Sequence, residues 1–154
     1  MVKNFMGQRV VKSPRRPESL VVRTCMSKKI ICFSPEDSME KVIHTLIRKR
    51  ISGAPVVNER GELVGVISEG DCLKQIVRGK YTNLPSRSGL VRDHMSREVE
   101  TLSPDTPLLE AAQAFLKMKL RRFPIVENGR LIGLLSQSDI MGSVYGLKSQ
   151  TWSE

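Results

Sequence analysis

Apolar positions along the chain follow two rhythms, and each rhythm occurs twice. Val42, Ile43, Leu46 and Ile47 share one helical face, and Ala111, Ala112, Phe115 and Leu116 repeat that spacing. Apolar runs at residues 54–57, 63–67, 123–126 and 131–135 have the length of buried strands. Between the members of each pair lies a glycine-bearing turn, Asn58-Glu59-Arg60-Gly61-Glu62 or Glu127-Asn128-Gly129-Arg130, which predicts a hairpin. Short strands are expected at residues 30–32 and 99–101, ahead of Ser34-Pro35 and Ser103-Pro104. Asp37 with Glu40 signals a cap for the first helix, and Thr106-Pro107 puts threonine at the N-cap and proline at the first helical position of the second.

These paired rhythms are a duplication. Val22-Arg23-Thr24-Cys25-Met26-Ser27 returns as Val91-Arg92-Asp93-His94-Met95-Ser96, an offset of 91 − 22 = 69, and Pro55-Val56-Val57 returns at the same offset as Pro124-Ile125-Val126. After the shorter second turn the offset becomes 133 − 65 = 68. Each copy reads β-α-β-β-α, a mixed α/β (α+β) unit. Roughly 55 residues hold a core poorly alone, so the copies are expected to pack as a pseudo-twofold pair of small sheets with helices between them. The division expected is a basic arm over residues 1–19, one repeat over 20–78, a polar inter-repeat loop over 79–90, a second repeat over 91–145 and a tail over 146–154 that carries Trp152.

The chemistry concentrates where the last strand of each copy breaks into a helix. Gly65-Val66-Ile67-Ser68-Glu69-Gly70-Asp71 is echoed by Gly133-Leu134-Leu135-Ser136-Gln137-Ser138-Asp139. Such a corner leaves unpaired backbone N–H groups beside an open sheet end, where an anion is stabilised, and an ionised aspartate accepts from a sugar diol. The same Ser-x-x-Asp spacing also describes plain helix capping. The pattern alone leaves both readings open.

Composition narrows the classes. Hydrophobic residues at 40% and charged residues at 27% are ordinary for a globular chain. No apolar run approaches the roughly 20 residues of a membrane span, and the N-terminus has no secretory pattern, so a cytoplasmic protein is expected. Cys25, Cys32 and Cys72 lack metal-knuckle spacing and read as free thiols, while His44 and His94 read as surface or edge residues. The formal charge of +9 suits nucleic acid, polyphosphate or an acidic partner alike, and aromatics at 5% argue against a stacking platform for single strands. No placed nucleophile, metal cluster or Gly-x-x-x-x-Gly-Lys loop points to an enzyme.

The doubled unit, the twofold strand-Ser-x-x-Asp, Ala54-Pro55-Val56-Val57 and Phe123-Pro124-Ile125-Val126 resemble a tandem cystathionine-beta-synthase (CBS) domain pair, or Bateman module, over residues 20–145. That resemblance implies a non-catalytic regulatory module that binds adenine nucleotides (AMP, ADP or ATP), or an adenosyl relative such as NAD or S-adenosylmethionine, in clefts between the repeats. It implies a homodimer and a regulated partner protein as well. The family's ribose-binding aspartate falls on Asp139 and Asp71, its accompanying hydroxyl on Ser136 and Ser68, and a further hydroxyl on Ser138, where the first copy has Gly70. Phosphate contacts fall on Arg121 and Arg122, with Ser34, Ser52 and Gly53 of the first copy facing the ligand held by Asp139. One competent site on Asp139 is therefore expected, with the Asp71 site weaker, empty or tuned to another ligand. Two alternatives stand beside this reading: a dimerisation module with vestigial pockets, and nucleic-acid binding through the basic arm.

Overall fold

The computed structural model describes residues 20–81 and 89–146; the basic arm, most of the inter-repeat loop and the tail with Trp152 lie outside the described residues. The first repeat contributes α1 (Met39–Lys49), β1 (Gly53–Val57), β2 (Leu63–Ser68) and α2 (Glu69–Tyr81). The second contributes α3 (Leu108–Met118), β3 (Arg122–Glu127), β4 (Arg130–Ser136) and α4 (Gln137–Tyr145). Each pair of strands is an antiparallel hairpin whose turn needs a left-handed residue, Gly61 at φ 76° or Gly129 at φ 79°. Helix α2 runs past the expected edge of the first repeat, continuing through Gly79 to Tyr81.

The expected leading strands at residues 30–32 and 99–101 are reduced to single parallel bridges, Phe33 with Val56 and Leu102 with Ile125. Four prolines explain this. Phe33 N–H donates to Pro55 O at 3.0 Å and Val57 N–H donates to Phe33 O at 2.9 Å. The next rungs of a parallel ladder would need N–H groups from Pro35 on one side and Pro55 on the other, and proline has none. Pro104 and Pro124 end the second ladder in the same way.

Helix faces differ from expectation by a rotation. Met39, Val42 and Leu46 are buried on α1, and the equivalent Leu108, Ala111 and Phe115 on α3. Ile47 and Leu116 instead lie 73% and 80% exposed, since the buried stripe is set by the i, i+3, i+7 positions. The caps shift too. Ser38, not Asp37, caps α1 by accepting from Lys41 N–H at 3.1 Å, and Asp37 accepts from Ser34 N–H at 2.9 Å. Pro107, not Thr106, holds the N-cap position of α3 and supplies no side-chain bond.

Further backbone bonds at both helix starts cross between the repeats. Leu108 N–H donates to Leu20 O at 2.8 Å, and Met39 N–H to Gly89 O at 2.6 Å. The segment at residues 20–27 thus belongs spatially to the second repeat, and the segment at 89–96 to the first. Val22 is buried with Leu108, Phe115 and Phe123, whereas Val91 is buried with Phe33, Met39 and Ile67. Ser27 bridges Leu134 and Ser96 bridges Val66, each through a reciprocal pair of backbone bonds at 2.8–2.9 Å. Met26 presses on Gly133 and Met95 on Gly65, where a side chain would not fit. The hairpin tips also pair, Leu63 N–H to Gly129 O at 3.2 Å and Leu131 N–H to Gly61 O at 3.0 Å. Each core is therefore completed by the other half of the sequence, and the predicted pseudo-twofold pair is present.

Candidate functional site

Strand β4 delivers Ser136 to the start of α4, where the backbone turns from extended (φ −110°, ψ 164°) into the helix. Ser136 N–H donates to Asp139 Oδ2 at 2.8 Å, and Asp139 N–H donates to Ser136 Oγ at 3.1 Å. This reciprocal pair is a full capping box, so the capping reading holds here. Capping does not exhaust the carboxylate: a single backbone bond fills one of its roughly four acceptor positions. Both residues are 7% exposed. Ser138 Oγ lies 3.1 Å from Ser136 Oγ, so three of the expected residues share one corner.

Arg122 joins them through the sheet, since it faces Ser136 across the β3–β4 hairpin. Its guanidinium is half-buried; burial pulls its pKa down from the ordinary value while the charge of Asp139 pulls it back up. A cation and a carboxylate thus meet at a helix N-terminus. Arg121 is exposed at the entrance of β3.

The first repeat builds the same corner less fully. Ser68 N–H and Oγ both lie within bonding distance of Asp71 Oδ2, at 2.9 and 3.0 Å, while Asp71 N–H reaches Ser68 Oγ at 3.4 Å. Gly53 takes the place of Arg122 and pairs with Ser68. Ser52 O accepts from Glu69 N–H at 2.9 Å, and Ser34 Oγ bonds Glu36 Oε2 at 2.6 Å. These bonds of Ser34, Ser52 and Gly53 stay within their own repeat.

One neighbour of the Asp139 corner escaped the sequence reading. Cys25, on the crossed segment, has its thiol pushed up to about 12 by burial and by the charge of Asp139. It is a protonated, inert wall of that corner. The equivalent residue is His94, expected at a surface or edge; it is half-buried, and its Nε2 is enclosed without a hydrogen-bond partner. The 69-residue offset aligns these positions, but only the exchange of segments brings Cys25 to the opposite repeat's aspartate corner. Among the described residues no cluster of three His, Cys, Asp or Glu can hold a metal, and no helix is long and apolar enough to cross a membrane.

Known proteins carry the same arrangement. The family model of the CBS domain matches residues 22–78 and again 91–146. The uncharacterized protein MJ1426 of Methanocaldococcus jannaschii is 31% identical over 153 aligned residues, covering 80% of this chain and 90% of that protein. The crystal structure of CBSX2, from Arabidopsis thaliana, in complex with AMP superposes with a TM-score of 0.68 at 28% identity, over 79% of this chain and 93% of that one. The CBS domain pair of MJ0100 in complex with 5′-methylthioadenosine and S-adenosyl-L-methionine gives 0.64 at 27% identity, over 79% and 93%.

Proposed function

This chain belongs to the CBS domain family, carrying the domain twice, and we propose that it is a non-catalytic regulatory module that binds an adenine nucleotide beside Asp139. The observation that carries the reading is the convergence of Arg122, Ser136 and Asp139 where β4 enters α4. Asp139 accepts from the ribose hydroxyls, with Ser136 and Ser138 as further polar contacts, and Arg122 with Arg121 meets the phosphate. Ser34, Ser52 and Gly53 flank the ligand from the first repeat, and Asp71 with Ser68 forms the second, less charged cleft. The AMP, methylthioadenosine and S-adenosylmethionine held by related CBS pairs support an adenosyl ligand. AMP, ADP, ATP, NAD and S-adenosylmethionine share the ribose and adenine that this corner would read.

The module passes its signal to a partner protein by favouring one arrangement of the repeats over another when ligand is bound. Leu73, Ile76 and Val77 of α2 share an exposed apolar face with helical spacing, as do Met141 and Tyr145 of α4. Such faces support a homodimer built on the helices.

Thermal unfolding with millimolar AMP, ADP, ATP, NAD or S-adenosylmethionine tests the reading. Saturation at a hundredfold over Kd stabilises by about 2.7 kcal/mol. Asp139→Asn should abolish the ligand-dependent part of that shift. The baseline alone does not discriminate, because the substitution also weakens a cap worth about 1 kcal/mol. A protein that no ligand stabilises, but that dimerises through α2 and α4, is instead the assembly module; the full capping box and the exposed apolar faces favour that second reading.

A further inference from the structure

The C-terminal ends of α1 and α3 present the same surface twice, and the nucleotide corner does not use it. Ile47 and Leu116 stand at equivalent places, 116 − 47 = 69 residues apart, and both are among the most exposed apolar side chains of the described residues. Each is followed by exposed cations: Arg48, Lys49 and Arg50 in the first repeat, Lys117 and Lys119 in the second. No acidic residue lies in sequence between Glu40 and Glu59, or between Glu110 and Glu127. Among the described residues none of these five cations is held in an ion pair; Arg23 and Lys41, which are, lie elsewhere.

The helix dipole accounts for a cation in a last turn. It does not account for the rest. Arg50 and Lys119 are the C-cap residues, both left-handed at φ 54°, where glycine sits without strain and a side chain does not. Each copy nonetheless keeps a long cation there, three residues after its exposed aliphatic and so one turn further along the same side. Ile43 and Ala112, four residues before Ile47 and Leu116, are half-buried and extend the apolar face. A single exposed aliphatic is ordinary, but the same one in both repeats, beside unpaired cations, is a repeated pattern.

We propose that these two helix ends are docking surfaces for an acidic segment of the partner protein, one that sets aliphatic side chains among its carboxylates. The proposal rests on the reading of a module that signals to a partner, and adds the chemistry of the protein that receives the signal. Carboxylates meet the unpaired cations, and an aliphatic side chain covers Ile47 or Leu116. Nucleic acid would use the cations but leave Ile47 and Leu116 against charged phosphates. A second copy fits worse, since Arg48, Lys49 and Arg50 would face either themselves or Lys117 and Lys119. The surface is also close to the nucleotide: only Leu120 and Arg121 separate Lys119 from Arg122, which pairs with Ser136 across the hairpin.

Fluorescence anisotropy of the full chain with two labelled peptides tests it, one repeating two glutamates and a leucine, the other with serine in place of leucine. A short double-stranded RNA and vesicles of phosphatidylcholine with phosphatidylserine are the competing polyanions. The leucine peptide should bind about tenfold more tightly than the serine peptide, and Ile47→Ser with Leu116→Ser should erase that margin. Arg48→Glu with Lys117→Glu should weaken both peptides by about tenfold. Arg50→Gly with Lys119→Gly should weaken both peptides yet raise Tm, an opposition that a purely structural role for these cations would not give. RNA or vesicles bound more tightly than the leucine peptide overturn the proposal. Failure of the leucine peptide to bind, with the AMP-dependent shift in unfolding intact, overturns the docking surface alone. Absence of that shift with the peptide still bound overturns the nucleotide reading alone.

Discussion

The docking of each crossed segment on the opposite hairpin is tightest at Gly65 and Gly133, and alanine at these positions should separate two kinds of crowding. At Gly65 the new Cβ would meet Met95 Sδ at 2.7 Å and the backbone oxygen of Ser96 at 2.8 Å. Ser96 O is held by Val66 N–H at 2.9 Å and cannot retreat without breaking the bridge. At Gly133 the Cβ would meet Met26 Sδ at 2.6 Å, but the backbone oxygen of Ser27 only at 3.2 Å. A methionine has three rotatable bonds and swings aside, so most of the second clash relaxes. Overpacking costs about 1–3 kcal/mol. Gly65→Ala should lie at the top of that range, about 2–3 kcal/mol, and Gly133→Ala near the bottom, about 1 kcal/mol. In a chain of this size each kcal/mol moves Tm by about 2–4 °C, and urea unfolding reads the same difference. A double-mutant cycle sharpens the point: Met26→Ala should rescue most of Gly133→Ala, with a coupling of about 0.5–1 kcal/mol, and Met95→Ala should rescue little of Gly65→Ala. Equal costs for the two glycines, or full rescue of Gly65→Ala by Met95→Ala, would refute the backbone argument.

Other outcomes follow from the same geometry. Because the Cys25 thiol is raised from an ordinary 9.0 to about 12, the folded state holds its proton more tightly than the unfolded chain. Its contribution to stability is complete below pH 9 and is lost as pH rises through about 12, so Cys25→Ala should flatten that part of the pH–stability curve. Thiol labelling at pH 8 should modify the exposed Cys32 first and Cys25 slowly, and Asp139→Asn should speed Cys25 by removing the nearby charge. Ser136→Ala should cost about 1 kcal/mol in urea unfolding without ligand, since it removes half of a capping box. Ile76→Glu, which sets a charge on the exposed face of α2, should leave the unfolding free energy within about 0.5 kcal/mol of the parent but lower the oligomer fraction in sedimentation.

Both hairpins, their glycine turns and all four described helices were legible because each rests on a local pattern: an apolar run of strand length, a residue able to take positive φ, an apolar stripe at helical spacing. The Ser136–Asp139 and Ser68–Asp71 corners were legible for the same reason, as their bonds span three residues. The missing leading strands were in principle readable too. Pro35 and Pro55 each remove the one N–H a neighbouring rung needs, but that is visible only once the register of Phe33 between Pro55 and Val57 is known. Ile47 and Leu116 looked like core because helical periodicity defines a stripe but not its edges. The pairing of Cys25 with Asp139 was beyond reach, for the two are more than a hundred residues apart and the repeat pattern assigns them to different halves.

The crossing of residues 20–27 and 89–96 has a consequence for how such a chain arises. A single repeat on its own would have an open groove beside its β2-type strand and a leading segment with nowhere to dock. Two separate copies would solve this by trading segments, which is a domain-swapped dimer held together by mass action. Joining them end to end keeps every contact, from Leu20 on Leu108 to Gly89 on Met39, and makes association intramolecular, at an effective concentration in the millimolar range for a short connector. The fused product no longer depends on meeting its twin. Freed from identity, the two halves can diverge, one keeping an arginine where the other keeps a glycine, while the interlocked backbone stays the same.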